Sequence, residues 1–86
     1  MEIEFDPAKD ALNIRKHNIS LARVVDLKPF SIVEDQRYSE PRFRAYGTID
    51  GLAYCFAYVM RGEITRVISL RRAHEKEMRK HVPQKR

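Results

Sequence analysis

The chain has 86 residues, of which 43% are hydrophobic and 34% are charged, a balance typical of one globular domain with a modest core. It has no apolar run of about 18 residues and its N-terminus is acidic, so we expect neither a membrane span nor a secretion signal. Cys55 is the single cysteine and lies in an apolar stretch, which favours a reduced core thiol in a cytoplasmic protein.

The positive charge is concentrated at the C-terminal end. The net charge is +5, but residues 1–60 carry eight Lys or Arg and nine Asp or Glu, a balance of −1. The last 26 residues carry nine Lys or Arg and three Asp or Glu, a balance of +6. This asymmetry favours a polyanionic or acidic partner. The alternative is a basic tail that only increases solubility.

The first predicted element is a helix. Asp6 and Pro7 are typical of a helix start, and the helix should end near His17, with Asn18 in the left-handed conformation. We expect one face to be apolar and the opposite face to be a polar, exposed stripe. The apolar face would hold Ala8, Ala11, Leu12 and Ile14, and the stripe Lys9, Asn13, Lys16 and His17.

A second, shorter helix is predicted from Ser20 to about Lys28, where Pro29 would stop it. Four strands of a meander should follow, with the strongest hairpin signal at Asp50-Gly51. The final helix is expected from about Ala73 to Val82, before a flexible basic tail at 83–86. The strands are predicted at 31–35, 42–50, 52–60 and 63–71. Residues 1–86 would form one α+β domain.

The strand 63–71 carries the arginines of greatest interest. Strict alternation would place Arg71 with Ser69 on a mostly small, polar face, and Arg66 with Arg72 on the other face. Arg71 and Arg72 would then point in opposite directions. Arginine suits phosphate because its planar fork donates two charge-assisted hydrogen bonds. Plain surface charge and ion pairing are the alternatives.

Other kinds of site have little support in the sequence. There is no Cys/His cluster, and the three histidines lack carboxylates at a recognised ligand spacing, so we expect no metal. No serine lies in an elbow-like motif, and no glycine-rich loop would hold a nucleotide cofactor. We therefore expect no cofactor.

RNA would bring its own nucleophile, the 2′-OH. A metal-free site must accept that proton, stabilise charge on the phosphorane and protonate the leaving oxygen. His17 and Glu77 are the candidate acid/base groups, while Arg66, Arg71 and Arg72 are the candidate electrostatic stabilisers. Lys9 and Lys16 would add phosphate contacts. An exposed helix face and surface ion pairs are the alternatives for these residues.

Three stretches resemble the BrnT toxins of bacterial type II toxin–antitoxin systems. FDPAKDALNIRKHNIS resembles the N-terminal signature, DQRYSEPRFRAYG the middle segment, and TRVISLRRAHEKE the C-terminal motif. Lys16 and His17 match the Lys-His pair of the family, whereas Asn18 stands where relatives often have Gly. The chain also has no Trp, which relatives often carry near the start. The C-terminal motif is matched by Arg66, Ser69, Arg71 and Glu77.

The resemblance implies a RelE-like fold: two N-terminal helices, an antiparallel meander of three to four strands and a C-terminal helix. It implies an endoribonuclease that inhibits translation, and a cognate antitoxin that binds operator DNA in a higher-order complex. Operator DNA would be contacted only through the antitoxin, and no membrane would be involved. By charge, the antitoxin should present an acidic or apolar segment to Arg66, Arg71 and Arg72.

We therefore predict a metal-independent endoribonuclease toxin. The alternative is a non-catalytic module that binds nucleic acid or only the antitoxin. The predicted catalytic residues are Arg71, Arg66, Glu77 and His17, and the predicted RNA contacts are Lys9, Lys16, Arg37, Arg72 and Lys76.

Overall fold

The computed structural model describes residues 1–37 and 39–81, and of His81 only its place in a helix. The predicted tail at 83–86 and Val82 lie outside these residues. No helix in the described ranges is long and apolar enough to span a membrane. The elements in chain order are β1 (Ile3–Glu4), α1 (Pro7–His17), a 3₁₀ helix (Leu21–Asp26), β2 (Lys28–Asp35), β3 (Arg42–Ile49), β4 (Leu52–Arg61), β5 (Ile64–Arg72) and α2 (Glu75–His81).

The predicted bounds of α1 are confirmed. The Asp6 side chain accepts the Ala8 N–H at 2.9 Å, and Pro7 occupies the first turn, where its missing N–H costs nothing. Asn18 closes the helix with φ 58° and donates its N–H to the Ile14 carbonyl. Local capping chemistry is therefore sufficient to define both ends of α1.

The predicted orientation of α1 is wrong. Asn13 is buried, whereas Leu12 and Ile14, expected in the core, are 53% and 45% exposed. The Asn13 amide donates to the Leu70 carbonyl at 2.8 Å and accepts the Leu70 N–H at 3.1 Å. A strand edge needs partners for its backbone groups, and Asn13 supplies them where β1 no longer runs beside β5. Of the polar stripe, Asn13 is therefore buried against the sheet, whereas its other three residues stay exposed.

The predicted second helix is a single stretch of 3₁₀ helix. Ser20 caps it, accepting the Ala22 N–H, but its buried residues Leu21 and Val24 are three positions apart, the repeat of a 3₁₀ helix. Lys28 and Pro29 belong to β2, an edge strand, where a proline lacking an N–H is tolerated.

The sheet has five strands in the order β1-β5-β4-β3-β2 and is mixed, because β1 pairs with β5 in parallel. β1 has only two residues, too few for a period-two pattern in the sequence. The predicted RelE-like arrangement, with two N-terminal helices and an antiparallel sheet of three to four strands, is therefore wrong. The hairpin at Asp50-Gly51 is confirmed, with φ values of 52° and 79°.

The two faces of the sheet differ in character. On the core face, sheet residues pack against Ile19, Leu21 and Val24 of the segment after α1. These sheet residues are Ala45, Ile49, Phe56, Val67 and Leu70. The opposite face, called the basic face below, is defined by Arg42, Arg44, Tyr46, Cys55, Ala57, Arg61, Arg66, Ser69 and Arg71, which the strand register places on one side.

A bulge in β5 determines which arginines share a face. Ala57 lies opposite Ser69 but Tyr58 lies opposite Val67, so Ile68 is an extra residue in β5. Arg66 and Arg71 consequently lie on the same face, while Arg72 lies opposite Tyr54 on the other. The prediction that Arg66 shares a face with Arg72 rather than with Arg71 is wrong, because strict alternation cannot include the bulge.

Candidate functional site

The basic face is partly covered at one end by α2. β5 ends at Arg72 and α2 begins at Glu75, so only residues 73–74 turn the chain back across the sheet. The Ala73 N–H still donates to the Ala53 carbonyl, which extends the pairing beyond β5. The Glu77 carboxylate accepts the His74 N–H at 3.0 Å, as the third helical residue of a capping box does. This bond fixes the carboxylate over the end of β5.

Arg71 and Glu77 form a two-pronged ion pair. Nη1 lies 2.7 Å from Oε1 and Nη2 lies 2.8 Å from Oε2. The side chains are only 30% and 21% exposed. The hydrogen bonds from Arg71, with the His74 N–H in support, lower the pKa of Glu77 to about 2, and pairing raises the pKa of Arg71. Both groups are charged at neutral pH.

Tyr46 and Cys55 form the floor under this pair. The register places them side by side, with Arg71 next to Cys55, in one row across β3, β4 and β5. The Tyr46 hydroxyl donates to Glu77 Oε2 at 3.4 Å. Burial raises the pKa of Tyr46 to about 12 and raises the pKa of the Cys55 thiol. Tyr46 is therefore a neutral phenol and Cys55 a protonated thiol at neutral pH, which argues against a cysteine nucleophile.

Three of the clefts between described residues adjoin the basic face. The α1 cleft, of about 370 Å³, is lined by Lys16, His17, Asn18, Arg71, Arg72 and His74. The α2 cleft, of about 610 Å³, is lined by Arg44, Lys76, Glu77, Arg79 and Lys80. The loop cleft, of about 240 Å³, is lined by Lys9, Ser39, Glu40, Arg42, Val59, Arg61, Arg66 and Ile68.

The structure brings most of the sequence-predicted site residues to these clefts. Four of them, Lys16, His17, Arg71 and Arg72, meet in the α1 cleft, and Glu77 joins this group to Lys76 in the α2 cleft. Lys9 and Arg66 lie together in the loop cleft, where Arg66 also pairs with Glu4 at 3.3 Å. Arg72 donates to the Ala53 carbonyl and lies over the Tyr54 ring.

Arg37 is not brought to any of the three clefts. It lies after β2, where its guanidinium binds Asp35 and its hydrogen bonds lower the pKa of that carboxyl to about 2. Arg44, Arg79 and Lys80 are not among the predicted site residues, although Arg44 alternates with apolar residues along β3. No short-range pattern in the sequence indicates that α2 lies over the basic face.

The residues of the Arg71–Glu77 pair lie within a known family signature. A family model described as the ribonuclease toxin BrnT of type II toxin–antitoxin systems matches residues 5–77. The chain belongs to the BrnT family. Its fold resembles the crystal structure of the ribonuclease toxin BrnT of Brucella abortus, with 30% sequence identity and a TM-score of 0.67. The match covers 87% of this chain and 99% of the Brucella chain. No curated protein sequence gives a significant match.

The BrnT match includes both Lys16–His17 and the end of the motif at Glu77. The family supports a ribonuclease toxin of a type II system, and such a system implies a cognate antitoxin as partner. The resemblance drawn from the sequence is thus confirmed at the level of the family.

Proposed function

We propose that the chain is a metal-independent endoribonuclease that cleaves RNA through the substrate's own 2′-OH and thereby inhibits translation. The observation that supports this most strongly is the fixed Arg71 guanidinium, which Glu77 orients at the wall of the α1 cleft. An oriented cation at a partly buried position is suited to stabilise charge that develops on a phosphorane. No cluster of three or more His, Cys, Asp or Glu side chains suited to a metal occurs in the described ranges.

Glu77 takes a positioning role in this proposal instead of a proton-transfer role. Its pKa of about 2 makes it a poor base near neutral pH, and its oxygens already accept from Arg71 and His74. Replacing one partner would leave the other charged group partly buried and without its partner. Glu77 therefore acts through Arg71.

His17 is the proposed proton-transfer group. It lies at the C-terminal end of α1 and lines the same cleft as Arg71. Imidazole is the side chain best suited to exchange protons near neutral pH. Lys16 and Arg72 line the cleft as well and would bind the phosphates on either side, which keeps them among the proposed RNA contacts.

Arg66, Lys9 and Lys76 are proposed as outlying RNA contacts. Arg66 and Lys9 lie in the loop cleft at the other end of the basic face, and Lys76 lies in the α2 cleft. Since Arg66 is separated from the α1 cleft and pairs with Glu4, we place it in binding instead of in the chemical step. An acidic antitoxin segment would mask Arg66 and Arg71 together because the bulge puts both on the basic face.

The test uses purified protein and a labelled oligoribonucleotide in EDTA. We expect cleavage by the wild type, and no cleavage when the nucleotide 5′ to the scissile bond carries a 2′-deoxy sugar. Induced expression should arrest growth, and co-expression of the antitoxin should restore it. RNA that stays intact while bound in a salt-dependent manner would favour the non-catalytic module instead. Cleavage of the 2′-deoxy substrate would contradict the 2′-OH mechanism.

A further inference from the structure

We propose that the α2 cleft is a second phosphate subsite, which holds a backbone phosphate of the RNA strand beside the phosphate at Arg71. This inference rests on the proposed function, because it assumes that the bound polymer is RNA. Arg79 and Lys80 lie outside the three motif stretches, and Arg44 lies in the middle stretch, to which the proposed chemistry assigns no role.

The charge of the cleft fits a phosphate. Four of its five lining side chains are cations, and the one carboxylate, Glu77, is already committed to Arg71. Arg79 pairs with Glu75, but both side chains are more than two-thirds exposed, so water screens this pair strongly. The volume of the α2 cleft, about 610 Å³, lies within the range of small-molecule sites.

Arg44 gives the cleft a built component. Among the described residues its buried Nε has no hydrogen-bond partner, and the residue takes part in none of the ion pairs found there. A buried donor without a partner is uncommon in native proteins. An Arg side chain held on a strand offers a planar fork to a phosphate with less loss of freedom than a surface lysine.

The sheet register relates Arg44 to Arg71. Arg44 lies opposite Ala57, which lies opposite Ser69, and the next row contains Tyr46, Cys55 and Arg71. Two strand spacings across the sheet and two residues along a strand separate the two arginines, so their backbones are roughly 12 Å apart. Ala57 and Ser69, which follow Arg44 in its row, are small residues. An extended strand can therefore reach both cations with neighbouring phosphates.

Glu77 forms a wall between the two positions. It lines the α2 cleft on one side and holds Arg71 on the other. A phosphate at Arg44 consequently contacts a different cation from the phosphate that reacts. We therefore expect the subsite to act on binding and to leave the chemical step unchanged.

The experiment compares Arg44→Gln with Arg15→Gln. Arg15 is an exposed cation near the end of α1, so its substitution changes the net charge equally without touching the α2 cleft. The first probe is a single-stranded 2′-deoxy oligonucleotide, which cannot be cleaved through a 2′-OH. We expect Arg44→Gln to weaken its binding about fivefold and to reduce the slope of log K against log salt by about 0.7. Arg15→Gln should change neither value.

The second readout is cleavage. With a long oligoribonucleotide, Arg44→Gln should raise KM about fivefold and leave kcat unchanged, and Arg44→Lys should recover part of the loss. If Arg44→Gln reduces folding, Lys80→Gln replaces it as the test variant, because Lys80 lines the same cleft on the exposed side of α2. We expect it to raise KM as well. Equal binding losses in Arg44→Gln and Arg15→Gln would overturn the subsite, as would a fall in kcat. Because the 2′-deoxy probe reports binding alone, a wild-type protein without nuclease activity would refute the proposed function and still leave the subsite tested.

Discussion

The two faces of the sheet use the same strands for different purposes. On the core face, Val67 and Leu70 of β5 are almost completely buried against the 3₁₀ helix and its neighbours. On the basic face, Arg66 and Arg71 of the same strand remain partly exposed, and each is held by a carboxylate. Because Ile68 is an extra residue in β5, Val67 and Leu70 both face the core while Arg66 and Arg71 both face the opposite side. Stability should therefore depend on the core face, and activity on the basic face.

This separation has limits, since the Arg71–Glu77 pair is partly buried and also joins α2 to the sheet. A change there should affect both properties, whereas a change on the core face should affect stability alone.

Leu70→Ala should give the largest loss of stability. The Leu70 side chain is fully buried, and truncation of such a residue leaves a cavity that costs about 2–5 kcal/mol. Urea denaturation at pH 7 measures the change. The cleavage rate per folded molecule should stay within about twofold of the wild type. A much larger fall in that rate would contradict the claim that the core face determines stability and not activity.

Asn13→Ala should cost about 1–3 kcal/mol. The substitution leaves the Leu70 N–H and carbonyl without their side-chain partner and removes the bond to the Ile19 carbonyl. Denaturation is again the measurement, and Asn13→Asp is the matched variant, which keeps the acceptor and loses the donor. A neutral effect of both substitutions would contradict the role of Asn13 as partner of the β5 edge.

Glu77→Gln should reduce stability at pH 7 by about 1–2 kcal/mol and kcat by about tenfold, because Arg71 loses its charged partner. The pKa of Glu77 falls on folding from an ordinary 4.5 to about 2, so the unfolded chain takes up the proton first as the pH falls. The stability that the pair supplies is complete above about pH 5 and is lost as the pH falls toward 2.

Denaturation of the wild type and of Glu77→Gln at pH 7 and pH 3 measures this linkage. The difference in unfolding free energy between the two proteins should shrink at pH 3. A difference that stays constant with pH would show that the pair does not stabilise the fold through the Glu77 charge.

Leu12→Ala should have the smallest effect, below about 0.5 kcal/mol, because Leu12 is half-exposed and Ala favours the helix. The same denaturation assay applies. A loss of about 2 kcal/mol or more in the free energy of unfolding, as expected for a core leucine, would support the helix orientation inferred from the sequence.

The sequence is informative wherever a local rule decides the structure. Caps at Asp6 and Asn18 predict α1, and Asp50-Gly51 predicts a hairpin. Contacts between distant residues decide the rest. Because the Asn13 side chain is polar, a periodicity pattern assigns it to the exposed face of the helix. Its amide is nevertheless hydrogen-bonded to Leu70, 57 positions away in the sequence.

The candidate site shows the same limit. Its motif positions can be read from the sequence, whereas the bond from the His74 N–H to Glu77 is seen only in the structure. The face on which Arg66 and Arg71 lie depends on one inserted residue in β5, and the cleft at Arg44 depends on the path of α2. Neither follows from alternation alone.

The central claim is that Arg71 carries the chemistry of the basic face. The most direct test compares the wild type with Arg71→Ala in single-turnover cleavage of a saturating oligoribonucleotide in EDTA. The folded fraction of each protein is measured in the same buffer. We predict a fall in rate of about 100-fold or more at equal folded fraction. A rate within about threefold of the wild type would contradict the account.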